Sequence, residues 1–162
     1  MVGDGAERQA LVRMRDEMAL TNVMMLDQQP KSRMRDLWAL SDISLVLLKK
    51  SDLFKTVIPS KIFESLAMAK PIILGVEGES ADLLRAAKAG ICIEPEQVED
   101  LVVRVVELSQ NPERCQQMGR NGRRYVMEHF DRIVLARKLA FVLETVGKRT
   151  VLEAEEVSAS AR

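Results

Sequence analysis

Residues 59–79 read PSKIFESLAMAKPIILGVEGE. The order of residue types predicts a short helix, a tight turn, a buried strand and a Gly/Glu loop. Pro59 suits a helix start, where its missing N–H costs nothing. Ser60 is a favoured N-cap residue, and Lys61 follows it. Ile62, Phe63, Leu66 and Ala67 are expected on the buried side. Glu64 lies four residues after Ser60, so the two share a face. Pro71 stops the helix, and Ile72-Ile73-Leu74 is an apolar run of strand length. A helix start offers unpaired N–H groups and partial positive charge, which suit a phosphate. A carboxylate one turn further in can accept hydrogen bonds from vicinal hydroxyls, as on a ribose. The arrangement has the dimensions of a nucleotide.

Outward from this stretch the pattern alternates. Met1-Val2 reads as the tail of a strand, and Gly3-Asp4-Gly5 as a strand-to-helix turn. Residues 6–20 are expected to be helical, 22–26 a strand and 30–40 a second helix. Ile43 to Leu48 is a continuous apolar run, the mark of a strand covered on both faces. Residues 49–58 form a loop that enters the central helix. Beyond it come a helix at 80–88 with Gly90 at its C′ position, a strand at 91–93, a helix at 96–109 with Val98, Leu101, Val102, Val105 and Leu108 on one stripe, and helices at 112–128 and 132–146. Alternation of this kind predicts an α/β fold with a Rossmann-like, doubly wound parallel sheet. Ligands of such sheets lie at the carboxyl ends of the strands, here the loops 3–5, 49–58 and 75–79. From Gly147 on the chain is small and polar, and a flexible tail over 147–162 is expected.

Composition narrows the function. The chain has 162 residues, 47% apolar and 30% charged, with 24 basic and 24 acidic side chains. A formal net charge of zero argues against a general nucleic-acid binder. The two cysteines, Cys92 and Cys115, make no metal or disulfide pattern, so a reducing cytoplasm is the default. The opening MVGDGAERQ lacks a signal-peptide pattern, and the apolar runs are too short to span a bilayer. His129, the single histidine, reads as a structural residue near a helix end. Arg114, Arg120, Arg123 and Arg124 form either a solvated face or a contact with anionic lipid.

PSKIFESLAMAKPIILGVEGESADLL resembles the nucleotide-sugar-binding half of a family 4 glycosyltransferase with the GT-B fold. The resemblance continues through VGDGAER at 2–8, NVMMLD at 22–27, LWALSDISLVLL at 37–48, AGICIEPE at 89–96 and NPERCQQMGRNGRRYVMEHFD at 111–131. It implies that residues 1–146 form a partial GT-B C-terminal, donor-binding domain with C-terminal helices. It also implies a strand order 3-2-1-4-5-6 whose central strand precedes this sequence, as does the acceptor-binding domain. The strand at 43–48 is then left with an open edge, suited to a homodimer or to the absent half.

The same resemblance assigns a site. Glu64 matches the second Glu of the family's Glu, seven residues, Glu motif and would hold the ribose hydroxyls. The first Glu falls on Thr56, a neutral hydroxyl near the donor sugar. The backbone from Ile58 through Ser60 to Lys61 would line the diphosphate, with Lys61 adding charge. Glu79 and Glu77 would lie near the donor sugar. The reaction implied is transfer of a glycosyl group from a nucleotide diphosphate sugar with retention, in surface polysaccharide or glycolipid assembly. Neither cofactor nor metal is implied, and no DxD pair is present. The rival expectation is a non-catalytic nucleotide-binding or interaction fragment. An epimerase half is a third reading, weakened by the single histidine. Peripheral contact with the inner face of the membrane would fit a lipid-linked acceptor.

Overall fold

The computed structural model describes residues 1–160, with side chains through Gly147. Of the flexible tail expected over 147–162, residues 147–160 continue the last helix, and its side chains beyond Gly147 lie outside the described residues. The chain divides into two compact units, Met1–Ser41 and Asp42–Arg162.

The first unit holds α1 (Arg8–Glu17) and α2 (Lys31–Leu40). The strand expected at 22–26 reduces to one parallel bridge, Val2 to Leu26. Two backbone bonds flank it, Gly3 N–H to Leu26 O at 3.2 Å and Leu26 N–H to Met1 O at 2.8 Å. Neither helix has a fully buried residue. The indole N–H of Trp38 has no partner among the described residues.

The second unit carries the sheet. β1 (Ser44–Leu47), β2 (Ile72–Gly75) and β3 (Gly90–Cys92) run parallel in the order β1-β2-β3. Central β2 is buried at all four positions, as a strand covered on both faces must be. On one face Val46, Ile72 and Leu74 pack with Ile62 and Leu66 of α3 (Ser60–Ala67), Leu84 of α4 (Glu79–Ala87) and Val126 of α6 (Pro112–His129). On the other, Ile73 and Ile93 meet Leu108 of α5 (Val98–Ser109). The doubly wound α/β expectation holds. α7 spans Arg132–Ser160, and its first turn is capped by Asp131, which accepts from the N–H groups of Ile133 and Val134.

Three local readings are corrected. Ala67 is exposed, and the third buried position of α3 is Ser65. The Ser65 hydroxyl sits 2.7 Å from the Lys61 carbonyl and 2.8 Å from Ser44 Oγ. With one proton to give, Ser65 donates to the carbonyl and accepts from Ser44, which ties α3 to β1 inside the core. The left-handed residue that ends α4 is Lys88 (φ 50°), and Gly90 lies within β3 instead. A Cβ at Gly90 would strike the Ile72 carbonyl, so contact with β2 explains that glycine. In α5, Val98 and Val102 of the expected apolar stripe are exposed, and only Leu101, Val105 and Leu108 turn inward.

The end of α3 yields a prediction. Lys70 N–H bonds Ser65 O at 2.9 Å, and Ala69 N–H bonds Leu66 O at 3.0 Å. This is a Schellman closure, which places Ala69 at φ 54°. Alanine pays a steric penalty there that glycine does not. Ala69→Gly is expected to stabilise the chain by about 1 kcal/mol, read as a higher urea midpoint at constant slope.

Candidate donor site at the carboxyl ends of the strands

The parallel strands place the loops after β1 and β2 at one end of the sheet. The loop after β1 contains a 3-10 turn, Asp52–Thr56, and then runs extended through Val57 and Pro59 into α3. The loop after β2 reaches Gly78, which precedes α4 with φ 72° and ψ −141°. These two loops are locked together. A Cβ on Gly78 would collide with the Lys55 carbonyl oxygen, so the backbones touch there. The buried Ser80 hydroxyl donates to Val57 O at 2.8 Å. Lys55 Nζ lies 2.7 Å from Asp52 and 3.7 Å from Glu77. Phe54 and Ile58 anchor the same loop by packing on the main core.

The expected site residues sit on this platform. Ile58 is half-buried, and Ser60, Lys61 and Glu64 are exposed on α3. Ser60 is not the N-cap. Pro59 occupies that position, and no side chain caps the helix. The extended backbone of Pro59 makes Ser60 the first helical residue. Ile62 N–H bonds Pro59 O at 3.0 Å, whereas the N–H groups of Ser60 and Lys61 have no partner among the described residues. The Glu64 carboxylate likewise makes no ion pair or hydrogen bond among those residues. Thr56 closes the 3-10 turn, its hydroxyl donating to Leu53 O at 3.3 Å. Glu79 opens α4 and is exposed.

Electrostatics separates α3 from the next three helices. The first turns of α4, α5 and α6 carry Glu79 and Asp82, Glu99 and Asp100, and Glu113. These carboxylates already complement the helix dipole. The first turn of α3 has no acid and has Lys61. Each such charge is worth roughly 0.3–1 kcal/mol, so among these four helix starts an anion is favoured most at α3.

Sequence reasoning missed Lys55, Gly78 and Ser80, which shape the site without any motif of their own. Lys55 makes a prediction. Its ammonium donates to the Asp52 carboxylate and holds that group below the ordinary aspartate value, while Asp52 in turn raises Lys55. The carboxylate form is therefore favoured in the fold, and the benefit is lost as pH falls through the lowered value. Lys55→Met is expected to move the Asp52 titration up, in a carboxyl-detected NMR titration.

Other groups are quiet. Burial pushes the thiols of Cys92 and Cys115 up, so neither is a reactive thiolate at neutral pH. His129 ends α6 and meets Tyr125 in a tilted ring contact, 4.4 Å between centroids. Arg114 pairs with Glu107, and Arg120 donates to Gln117. Among the described residues no group of three or more His, Cys, Asp or Glu side chains could hold a metal ion. No helix among them is long and apolar enough to cross a membrane.

A doubly wound α/β unit with an acid-free helix start at the carboxyl end of its sheet has the layout in which an anion is favoured. Comparison narrows the reading. The model of the family described as glycosyl transferases group 1 matches residues 1–125, and the chain belongs to that family. Its fold is that of GT-B glycosyltransferase C-terminal domains. Anabaena HepE, solved in complex with UDP, superposes with a TM-score of 0.76 at 17% identity, over 89% of this chain and 40% of that one. A sucrose-phosphate synthase from Thermosynechococcus elongatus gives 0.70 at 17%, over 90% and 35%. A glycosyltransferase from Rickettsia africae gives 0.72 at 19%, over 91% and 39%. The chain thus spans well under half the length of these structures. No curated protein matches the sequence.

Proposed function

We propose that this chain is the donor-binding part of a retaining glycosyltransferase, and that it holds a nucleoside diphosphate sugar at the start of α3. The observation that carries the reading is the acid-free first turn of α3 with unpartnered Ser60 and Lys61 N–H groups, followed one turn later by an unpaired Glu64. The diphosphate would rest against the backbone from Ile58 to Lys61, and the ribose hydroxyls would donate to Glu64. In the transfer, the bond from the anomeric carbon to the diphosphate oxygen breaks and a bond to an acceptor hydroxyl forms. Negative charge grows on the leaving diphosphate. The dipole of α3 and Lys61 would stabilise it without reorganising, which is catalysis by a prearranged field. The acceptor site would come from polypeptide beyond this sequence, in surface polysaccharide or glycolipid assembly in a reducing cytoplasm.

Thr56 supports a restricted version of the reading. Its hydroxyl is turned to Leu53 O, so the position offers the sugar no carboxylate. By itself the chain is expected to bind donor without transferring sugar. Calorimetric titration with UDP, GDP and ADP tests the proposal, with UDP first because HepE was solved with it. Saturable binding of one nucleotide is the expected result. Absence of binding to any of them, by a chain with native circular dichroism, would remove the donor site from this fragment.

A further inference from the structure

We propose that Ser80 is a positioning residue of the donor seat. By holding the Val57 carbonyl from inside the domain, it turns the N–H of Ile58 outward, as a third backbone donor to the diphosphate beside those of Ser60 and Lys61. The inference rests on the donor-site reading given above.

Among the described residues three polar side chains are buried, Ser44, Ser65 and Ser80. A buried hydroxyl needs a partner, and here all three converge on the backbone on either side of Pro59. Ser65, linked to Ser44 at 2.8 Å, lies 2.7 Å from the Lys61 carbonyl. Ser80 donates to the Val57 carbonyl at 2.8 Å. The Ser65 bond stays within one helical turn, a common way for a helix serine to satisfy itself. Ser41, Ser109 and Thr145 do the same, donating to carbonyls three or four residues back. Ser80 instead reaches a carbonyl 23 positions earlier, on the loop after β1. The contact of Gly78 with the Lys55 backbone brings the start of α4 close enough for that reach. Val57 O accepts from no backbone N–H among the described residues, so Ser80 alone holds it there.

Peptide geometry carries the consequence to the seat. No peptide bond among the described residues is cis. In a trans unit the C=O and N–H point in opposite directions. Val57 O is drawn toward α4, so the N–H of Ile58 is aimed away from it. That N–H has no partner among the described residues. The Ile58 side chain is fixed by packing on the main core, which keeps the unit from rotating freely. Pro59 has no N–H to give. The backbone donors at the entry to α3 are then those of Ile58, Ser60 and Lys61, and grouped N–H donors suit an anion. Ser80 sets the first of them before any ligand arrives, so binding requires no rearrangement of the loop.

Amide-resolved NMR titration of wild type and Ser80→Ala with UDP, GDP and ADP tests this. In the wild type, the diphosphate that binds is expected to move the Ile58, Ser60 and Lys61 amide protons downfield together and saturably. In Ser80→Ala the affinity is expected to fall about tenfold, the scale of one hydrogen bond to a charged group. At saturation the Ile58 shift is expected to be lost while those of Ser60 and Lys61 remain. General loosening of the loop would shrink all three alike, and that result would overturn the proposal. So would wild-type affinity in a folded variant. Should Ser80→Ala fail to fold, the wild type alone decides. An Ile58 amide that stays still while Ser60 and Lys61 move would remove Ser80 from the donor site and leave the donor reading in place. A wild type that binds none of the three nucleotides would remove both.

Discussion

Replacing Glu64 with alanine is expected to weaken nucleoside diphosphate binding by about 10- to 100-fold and to leave stability almost unchanged. The two halves of this expectation have separate causes. A carboxylate that accepts from sugar hydroxyls makes charge-assisted hydrogen bonds worth about 1.5–3 kcal/mol, and each 1.4 kcal/mol is tenfold in affinity. Glu64 is exposed, and its carboxylate has no partner among the described residues, so the fold gains little from its side chain. Alanine is also the better helix former, which keeps the cost within about 0.5 kcal/mol. Calorimetry and urea unfolding on the same preparation check both halves. Glu64→Gln separates charge from shape. It keeps an acceptor oxygen, so it is expected to fall between wild type and alanine. A structural role for Glu64 would lower the unfolding midpoint along with the affinity.

Gly78→Ala is expected to be the most damaging single change at the platform. The backbone there, at φ 72° and ψ −141°, lies close to the region reserved for glycine, and a non-glycine residue forced into it costs about 1–3 kcal/mol. The new Cβ would also strike the Lys55 carbonyl, which is backbone and cannot swing away. Overpacking of that kind adds about 1–3 kcal/mol. The sum, about 2–6 kcal/mol, is a large share of what a domain of this size has in reserve. If the 3-10 turn yields instead, the Ser80 bond to Val57 O is lost and the entry to α3 shifts. Gly78→Ala is therefore expected to lower the thermal midpoint and weaken nucleotide binding together, whereas Glu64→Ala lowers only binding. The contrast separates a group that would touch the ligand from one that shapes its seat.

The readable and unreadable parts of the sequence divide along physical lines. Strand β2 was legible because burial on both faces leaves an unbroken apolar run, Ile72-Ile73-Leu74; β1 shows the same kind of run, yet it is covered on one face only, with Leu45 and Leu47 exposed. Ser60, Lys61 and Glu64 were legible as neighbours because helical spacing fixes their common face. The cap was misread because Pro59 and Ser60 both suit a helix start, and only the extended backbone at Pro59 decides between them. Lys88 and Ala69 hold left-handed positions that their residue types do not advertise, since hydrogen bonding of the helix ends overrides the local preference. The contact between Gly78 and Lys55 joins residues 23 positions apart, and no local pattern encodes it. Residues 22–26 have strand character, yet pairing needs a neighbour, and only Leu26 bridges to Val2.

The central claim is that a nucleoside diphosphate sits at the start of α3. Amide-resolved NMR of the chain titrated with UDP tests it most directly. The largest saturable shifts are expected at residues 58–64, with smaller ones at 55–57 and 77–79, and all are expected to be lost in Glu64→Ala. Saturable shifts centred elsewhere on the folded chain, with 58–64 unmoved, would contradict it.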